Sequence, residues 1–407
     1  MACTHQITAG FMPLLDSAIL VTAKEMGFAE AEGIDLVLMR ETSWANIRDR
    51  LAVGHFQVAH VLAPMPIACN LGLTPLVVPT IVPMALGLGG NAVTVSNALW
   101  ADMAANGAKA DFDPAAAGRA LKDIVADRAS KSKPMLRFAV VHPHSGHNYE
   151  FRYWLAACGI DPSRDIEIVI VPPPLMVDAL ASGTIDGYCV GEPWNTAAVL
   201  AGEGRIATVK AAIWRSSPEK VLGVGARWAE DNRDMLSALL RALCRASEWC
   251  GNGENHEALV QILAEKAYVG RPSKWLLPAL QGKLPDGDGG VKTVSDFFVP
   301  FAKAATFPWK SHALWFYSQM VRWGQVQHTT EHAHIARETY RPDIYRAALK
   351  PLGVALPVAN AKVEGALTSA TPVGSSGASL VLGPDGFFDG SLFDPDKLNS
   401  YIASQKR

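Results

Sequence analysis

The chain has 407 residues, 37 Lys and Arg against 39 Asp and Glu, a net charge of −2 and 49% hydrophobic residues. At about 100–200 residues per domain, this length predicts two or three domains with sizeable cores. Disordered and fibrous classes are excluded, and the balanced charge argues against the broad basic face that nucleic-acid binding needs.

In chain order, His5–Phe11 reads as a strand, and Asp16 or Ser17 is placed to cap a helix through Met26 that stops at Gly27. Ile34–Met39 is a second strand. Ser43 caps a helix over Trp44–Val53 that ends at Gly54, and Phe56–Leu62 is a third strand. Strands alternating with helices imply a parallel sheet with covering helices. The longest apolar tract, Leu73–Leu88, is broken by Pro75, Pro79 and Pro83 and does not read as a membrane span.

Residues 97–134 are polar and read as a connector between two sheets. A second α/β unit opens at Leu136-Arg-Phe-Ala-Val-Val and continues through a helix at Asn148–Cys158 and a strand at Ile166–Val171. A helix at Leu175–Ser182 and a strand at Gly187–Val190 complete it. The phrases Leu51-Ala-Val-Gly-His-Phe-Gln-Val-Ala and Leu180-Ala-Ser-Gly-Thr-Ile-Asp-Gly-Tyr echo each other as helix end, Gly cap and entering strand. Beyond Lys220 the pattern turns helical, over Asp231–Trp249, His256–Ala267 and Ser311–Trp323. Past Pro351 the chain is rich in Gly, Pro, Ala and Ser, and Thr371–Gly377 reads as a flexible linker.

Six cysteines (Cys3, Cys69, Cys158, Cys189, Cys244, Cys250) lie scattered without a C-x-x-C pair. They read as small buried hydrophobes, as suits a reducing compartment. The first ten residues contain no basic region, apolar run or cleavage site of an export signal, so the expectation is a cytoplasmic chain.

Enzyme signatures are absent: there is no G-x-S-x-G, H-E-x-x-H, Walker loop or G-x-G-x-x-G. Neither a cofactor nor a metal is expected. Gly87-Leu-Gly-Gly-Asn is either a tight turn or a cradle of N–H groups for an anion. His142-Pro-His-Ser-Gly-His places three His within six residues between a strand and a helix. Strand C-termini beside helix N-termini are where α/β folds bind anions. His147 there is either a loop histidine or an oxyanion donor. Lys220 is an isolated cation before an apolar strand, of a kind usually solvated, and Trp44 and Trp194 read more readily as core or interface aromatics.

In combination these segments say more. Ser43-Trp-Ala-Asn-Ile-Arg-Asp, Ala63-Pro-Met-Pro, Gly90-Asn-Ala-Val-Thr-Val and His147-Asn-Tyr-Glu-Phe-Arg-Tyr-Trp-Leu-Ala resemble the nitrate/bicarbonate-binding (NrtA/CmpA-like) branch of the type II periplasmic-binding-protein superfamily. So do Gly191-Glu-Pro-Trp-Asn, Pro218-Glu-Lys-Val-Leu-Gly, Ala305-Thr-Phe-Pro-Trp-Lys-Ser-His and Tyr340-Arg-Pro-Asp-Ile-Tyr-Arg. The resemblance runs in family order over residues 5–360.

It implies an α/β fold of two lobes with a ligand cleft between them. Lobe 1 would be formed by residues 1–100 and 225–407, and lobe 2 by residues 101–224. It also implies a nitrate or nitrite site made by Trp44, Asn91, His147 and Lys220, with Gly90, Gly191 and Trp194 as secondary candidates. Asn91 falls where transport members carry a Gln amide. Lys220 takes a position that the bicarbonate branch fills with an acid that helps hold calcium, so nitrate or nitrite is favoured. One fixed cation with several N–H donors suits a planar monoanion, and a second buried cation is not expected. Glu192 is expected at the lobe crossover in a structural role.

With no leader in view, the resemblance narrows to cytoplasmic nitrate/nitrite sensors (NasS-like). These hold an ANTAR-domain antiterminator protein and release it when the anion binds. Such a sensor touches neither membrane nor RNA directly. The alternative is the solute-binding component of a nitrate ABC transporter.

Overall fold

The computed structural model describes residues 5–374 and 377–405. The first part of the chain supplies strands β1 (His5–Phe11), β2 (Ile34–Arg40), β3 (Val58–Leu62) and β4 (Thr80–Ala85). A two-residue strand β5 (Leu88–Gly89) leads to β6 (Asn91–Ser96). There follow β7 (Arg137–Val140), β8 (Glu167–Ile170), β9 (Gly187–Gly191), β10 (Gly204–Val209) and β11 (Lys220–Gly225). Two five-stranded sheets result, ordered β2-β1-β3-β11-β4 and β10-β6-β9-β7-β8.

The sheets are mixed rather than wholly parallel. β1 pairs in parallel with β2 and β3, and β7 with β8 and β9, as the alternating pattern predicts. β11 runs antiparallel to β3 and β4, and β6 antiparallel to β9 and β10. Register supplies the reason. Lys220, the first residue of β11, pairs with Leu62 at the end of β3, and Asn91, the first of β6, pairs with Gly191 at the end of β9. Each crossing strand starts at the edge where its neighbours finish, so it must run the other way.

The chain changes sheets at residues 86–90 and 216–219. Residues 91–96 therefore join the second sheet and residues 220–225 the first, which differs from the expected boundaries at 100/101 and 224/225. At the first crossing Gly89 has φ 73°, and a Cβ there would collide with the Phe297 carbonyl. Only glycine fits that approach. The Gly87–Gly90 knot is thus the crossover turn.

One core lies between the first sheet and the helices Ala18–Glu25 and Arg233–Gly251, with Leu20, Leu239 and Leu243 fully buried. A second runs from Phe138, Phe151 and Trp154 to Trp214 and Trp315. The predicted C-terminal helices appear as Arg233–Gly251, His256–Ala264 and Lys310–Arg322. The expected flexible linker is instead part of a hairpin: Thr371–Gly374 pairs antiparallel with Gly377–Leu382, with residues 375–376 outside the described residues. Beyond it, the Phe387 ring stacks on Trp214 at 4.7 Å.

Cys69, Cys189, Cys244 and Cys250 are free and buried, Cys158 is free and half-buried, and Cys3 lies outside the described residues. Among the described residues no helix is long and apolar enough to cross a membrane.

Candidate functional site

The site forms where strands of both sheets end and the crossing strands begin. After β2, Ser43 Oγ accepts the Asn46 N–H and starts the Trp44–Ala52 helix, which puts Trp44 in its first turn. After β7, Ser145 Oγ accepts the Asn148 N–H and starts the Gly146–Ala157 helix, with His147 in its first turn. Asn91 and Lys220 open β6 and β11. Short capping side chains at each entry leave these larger groups aimed at one region.

Lys220 is fully buried at its centre. Its Nζ donates to Asp16 Oδ2 at 2.8 Å and to Glu219 Oε1 at 3.0 Å, and lies 5.3 Å from the centroid of the Trp44 ring. An ammonium has three N–H bonds, so one remains beyond the two carboxylates. Glu219 Oε1 also lies 2.7 Å from His147 Nδ1, and its Oε2 accepts from Lys210 Nζ at 2.6 Å. Lys210 reaches Glu150 at 3.2 Å, and Ser217 donates to the same carboxyl oxygen. On the far side His60 Nε2 is 3.0 Å from Asp16 Oδ1, and the His60 ring packs 5.6 Å from Trp44.

This buried chain of charges fixes the protonation states. Burial works against every charged form, and the two lysines overcome it at Glu219, whose pKa falls well below the usual carboxylate range. Asp16 is also lowered: burial opposes its charge, but Lys220 and His60 outweigh it. Lys220 is raised by Asp16 and Glu219 despite burial. Glu150 is different: burial dominates and pushes it up to about 8. His147 is lowered, burial outweighing Glu219, so it is neutral in this arrangement.

In and beside that network, several buried polar atoms have no hydrogen-bond partner among the described residues. Around the site they include Trp44 Nε1, both amide atoms of Asn91 and His147 Nε2, and within the charge network Glu150 Oε2 and the facing pair His60 Nε2 and Asp16 Oδ1. Buried N–H groups are normally paired, so the orphan Trp44 and Asn91 N–H groups beside a buried ammonium suit an acceptor ligand. A Cβ at Gly191 would come within 2.8 Å of Asn91 Oδ1 and 3.6 Å of Asp16 Oδ2, so the absence of a side chain there leaves room.

Trp44, Asn91, His147, Lys220 and Gly191 are therefore brought together. Gly90 contributes as the crossover residue before Asn91, its carbonyl accepting the Glu192 N–H. Trp194 is turned elsewhere, its ring 5.0 Å from the Arg271 guanidinium. The Glu192 carboxylate caps its own turn through Thr196 N and Oγ1. His142 and His144 are buried, and burial lowers them to about 3 and about 4.

Sequence reasoning missed Asp16, His60, Glu150, Lys210 and Glu219. The expectation against a second buried cation is corrected by Lys210, which Glu219 and Glu150 neutralise. Asp16 makes no capping bond at the Ala18–Glu25 helix, because its carboxylate is engaged by Lys220 and His60. The adjacent pair Glu219-Lys220 was the one local signal.

Two α/β lobes, joined by crossing strands over a buried polar site, define a binding protein of the periplasmic-binding-protein class. The NMT1-like family model matches residues 2–264. The nitrate/nitrite binding protein NrtA of Synechococcus elongatus is 34% identical over 412 residues, covering 98% of this chain and 86% of that one. The nitrate import ATP-binding protein NrtC of Synechocystis is 35% identical over 84% of this chain and 50% of its own length. The crystal structure of the periplasmic nitrate-binding protein NrtA from Synechocystis superposes with a TM-score of 0.85 and 28% identity, covering 99% of both chains. The chain belongs to the NMT1-like family and, within it, to the NrtA/CmpA-like nitrate/bicarbonate-binding branch. It is a binding protein and not an enzyme.

These matches overturn the expectation of a cytoplasmic sensor holding an ANTAR-type antiterminator. NrtA nitrate/nitrite binding proteins align along 98–99% of the chain, and an NrtA of known crystal structure is periplasmic. That expectation rested on the composition of the first ten residues, which has no bearing on the fold or the site.

Proposed function

We propose that the chain is the solute-binding component of a nitrate or nitrite ABC importer, working outside the cytoplasmic membrane with ATP-binding and membrane-spanning partners. Trp44, Asn91, His147 and Lys220 hold the anion between the lobes, and Gly191 leaves space for it. The observation that carries this reading is the group of buried, unpartnered polar atoms on Trp44, Asn91 and His147 beside the buried Lys220 ammonium, which lies 5.3 Å from the Trp44 ring and shares Glu219 Oε1 with His147. A small planar oxyanion offers acceptors on every side and matches the free Lys220 N–H together with the Trp44 and Asn91 N–H groups. Kinship with nitrate/nitrite binding and nitrate import proteins supports the choice of ligand and partner.

Calorimetric titration with nitrate, nitrite, chloride, and bicarbonate with calcium tests it. Saturable heat with nitrate or nitrite and none with chloride is the expected result. Binding of bicarbonate with calcium, and of neither nitrogen oxyanion, would overturn it.

A further inference from the structure

The two nitrogens of His147 are not equivalent. Nδ1 lies 2.7 Å from Glu219 Oε1, and Glu219 also receives Lys220 at 3.0 Å and Lys210 at 2.6 Å. A carboxylate between two ammonium groups is ionised and can only accept, so Nδ1 must carry the hydrogen of that bond. A neutral imidazole has a single N–H. Nε2, buried and unpartnered, therefore presents a lone pair to the site. Nitrate and nitrite oxygens are acceptors as well, and two facing lone pairs repel.

His60 shows the contrast. Its Nδ1 accepts the Met12 N–H at 3.4 Å and its Nε2 lies 3.0 Å from Asp16 Oδ1, so one neutral tautomer serves both sides. His147 has no such solution once an anion arrives.

We infer that His147 is a proton-binding site filled together with the anion, so that the protein takes up nitrate or nitrite and one proton as a pair. This rests on the anion reading above. Both anions are fully ionised at neutral pH, so the proton is held by the protein: Nε2 gains it from solvent and donates it to an anion oxygen, while Nδ1–H stays on Glu219. Charge balance points the same way. Lys210 and Lys220 are matched by Asp16 and Glu219, and an added anion leaves a buried excess of one negative charge unless a proton enters too.

The groups facing His147 are Glu219 and Lys220 at the start of β11, Lys210 beyond β10, His142 after β7, and Glu150 one turn along its own helix. Glu150 is the rival carrier. Its position is already protonated below about pH 8, and its carboxyl meets Ser217 and Lys210 rather than the unpartnered ring.

Calorimetry of the intact chain with nitrate and with nitrite, in buffers of low and high ionisation enthalpy, counts the protons. We expect about one proton taken up per anion near neutral pH, and a Kd that rises about tenfold per pH unit from pH 6 to 8. His147→Gln keeps an N–H donor but cannot titrate, and its proton count should fall to near zero with a flat pH profile. If that variant does not bind, 15N shifts of the imidazoles in the unaltered chain decide. One histidine must pass from the singly to the doubly protonated pattern on adding nitrate. Anion binding with no proton uptake, uptake that persists in the Gln variant, or unchanged imidazole shifts overturns the inference alone. No heat with either anion overturns the importer reading, and this inference with it.

Discussion

Lys220 and Asp16 are 204 positions apart in sequence, yet the ammonium donates to the carboxylate at 2.8 Å in a fully buried setting. The cation at the centre of the site is thus tied to the first lobe before any anion enters. Its charge serves the fold as well as the ligand, so the two roles separate only by altering both partners.

Lys220→Ala is therefore expected to lose nitrate binding and to lower stability by about 3–5 kcal/mol, the cost of leaving a buried charge without its partner. Asp16 would retain only neutral His60. In the double variant Asp16→Asn with Lys220→Met, most of the stability should return while binding does not. Urea unfolding and calorimetry on the three proteins check this. Full stability in the single variant would show that the ion pair is dispensable to the fold.

Which parts of this site could be read from sequence follows from how each residue meets it. Trp44 and His147 sit one and two residues past serine caps, so local chemistry announces where their helices begin. Asn91 and Lys220 open strands that read as apolar runs. Asp16, Lys210 and Glu150 carry no such mark: alone, each reads as a solvated or capping charge. They become a network only when β11 is inserted between β3 and β4, a pairing that no short-range pattern encodes. The parallel strands were legible for the same reason that the antiparallel ones were not. Alternation predicts neighbours joined by a helix, and β6 and β11 reach their sheets by crossing between lobes.

Glu150 should make the folded chain less stable as pH rises. Burial pushes its folded pKa up to about 8, above the usual carboxylate value of about 4.3, so between those values the folded state holds a proton that the unfolded chain releases. Stability declines across that window and levels off above it. Glu150→Gln removes the titration. Its thermal midpoint should match the parent near pH 4 and exceed it near pH 8. An equal difference at both pH values would contradict this.

Glu364 should do the reverse. It accepts from Ser311 Oγ at 2.6 Å and from Lys362, and His312 lies 3.4 Å away. Lys362 and His312 overcome the burial that opposes its charge and lower it to about 2. A depressed carboxyl stabilises the fold above its unfolded value of about 4.3, and that contribution drains as pH falls towards 2. Glu364→Gln is expected to cost stability at pH 7 and progressively less below pH 4. Thermal unfolding at intervals between pH 7 and 2.5 reads it out.

The tail reaches the site through Phe387. Its ring stacks on Trp214 at 4.7 Å and 20°, with Tyr153 at 5.4 Å and Trp315 at 6.1 Å. Around it the backbones pair, Arg215 N–H donating to Gly386 and Phe388 N–H to Ile213. The segment so clamped is the one that bears Lys210 and Ser217, the partners of Glu219 and Glu150. Phe387→Ala should cost about 3–5 kcal/mol, as large-to-small changes in a packed aromatic core do. If the clamp also holds Lys210 against Glu219, nitrate affinity must weaken in the same variant at temperatures where it remains folded. Paired urea unfolding and calorimetry separate the two effects: lost stability with unchanged affinity would reduce the tail to packing alone.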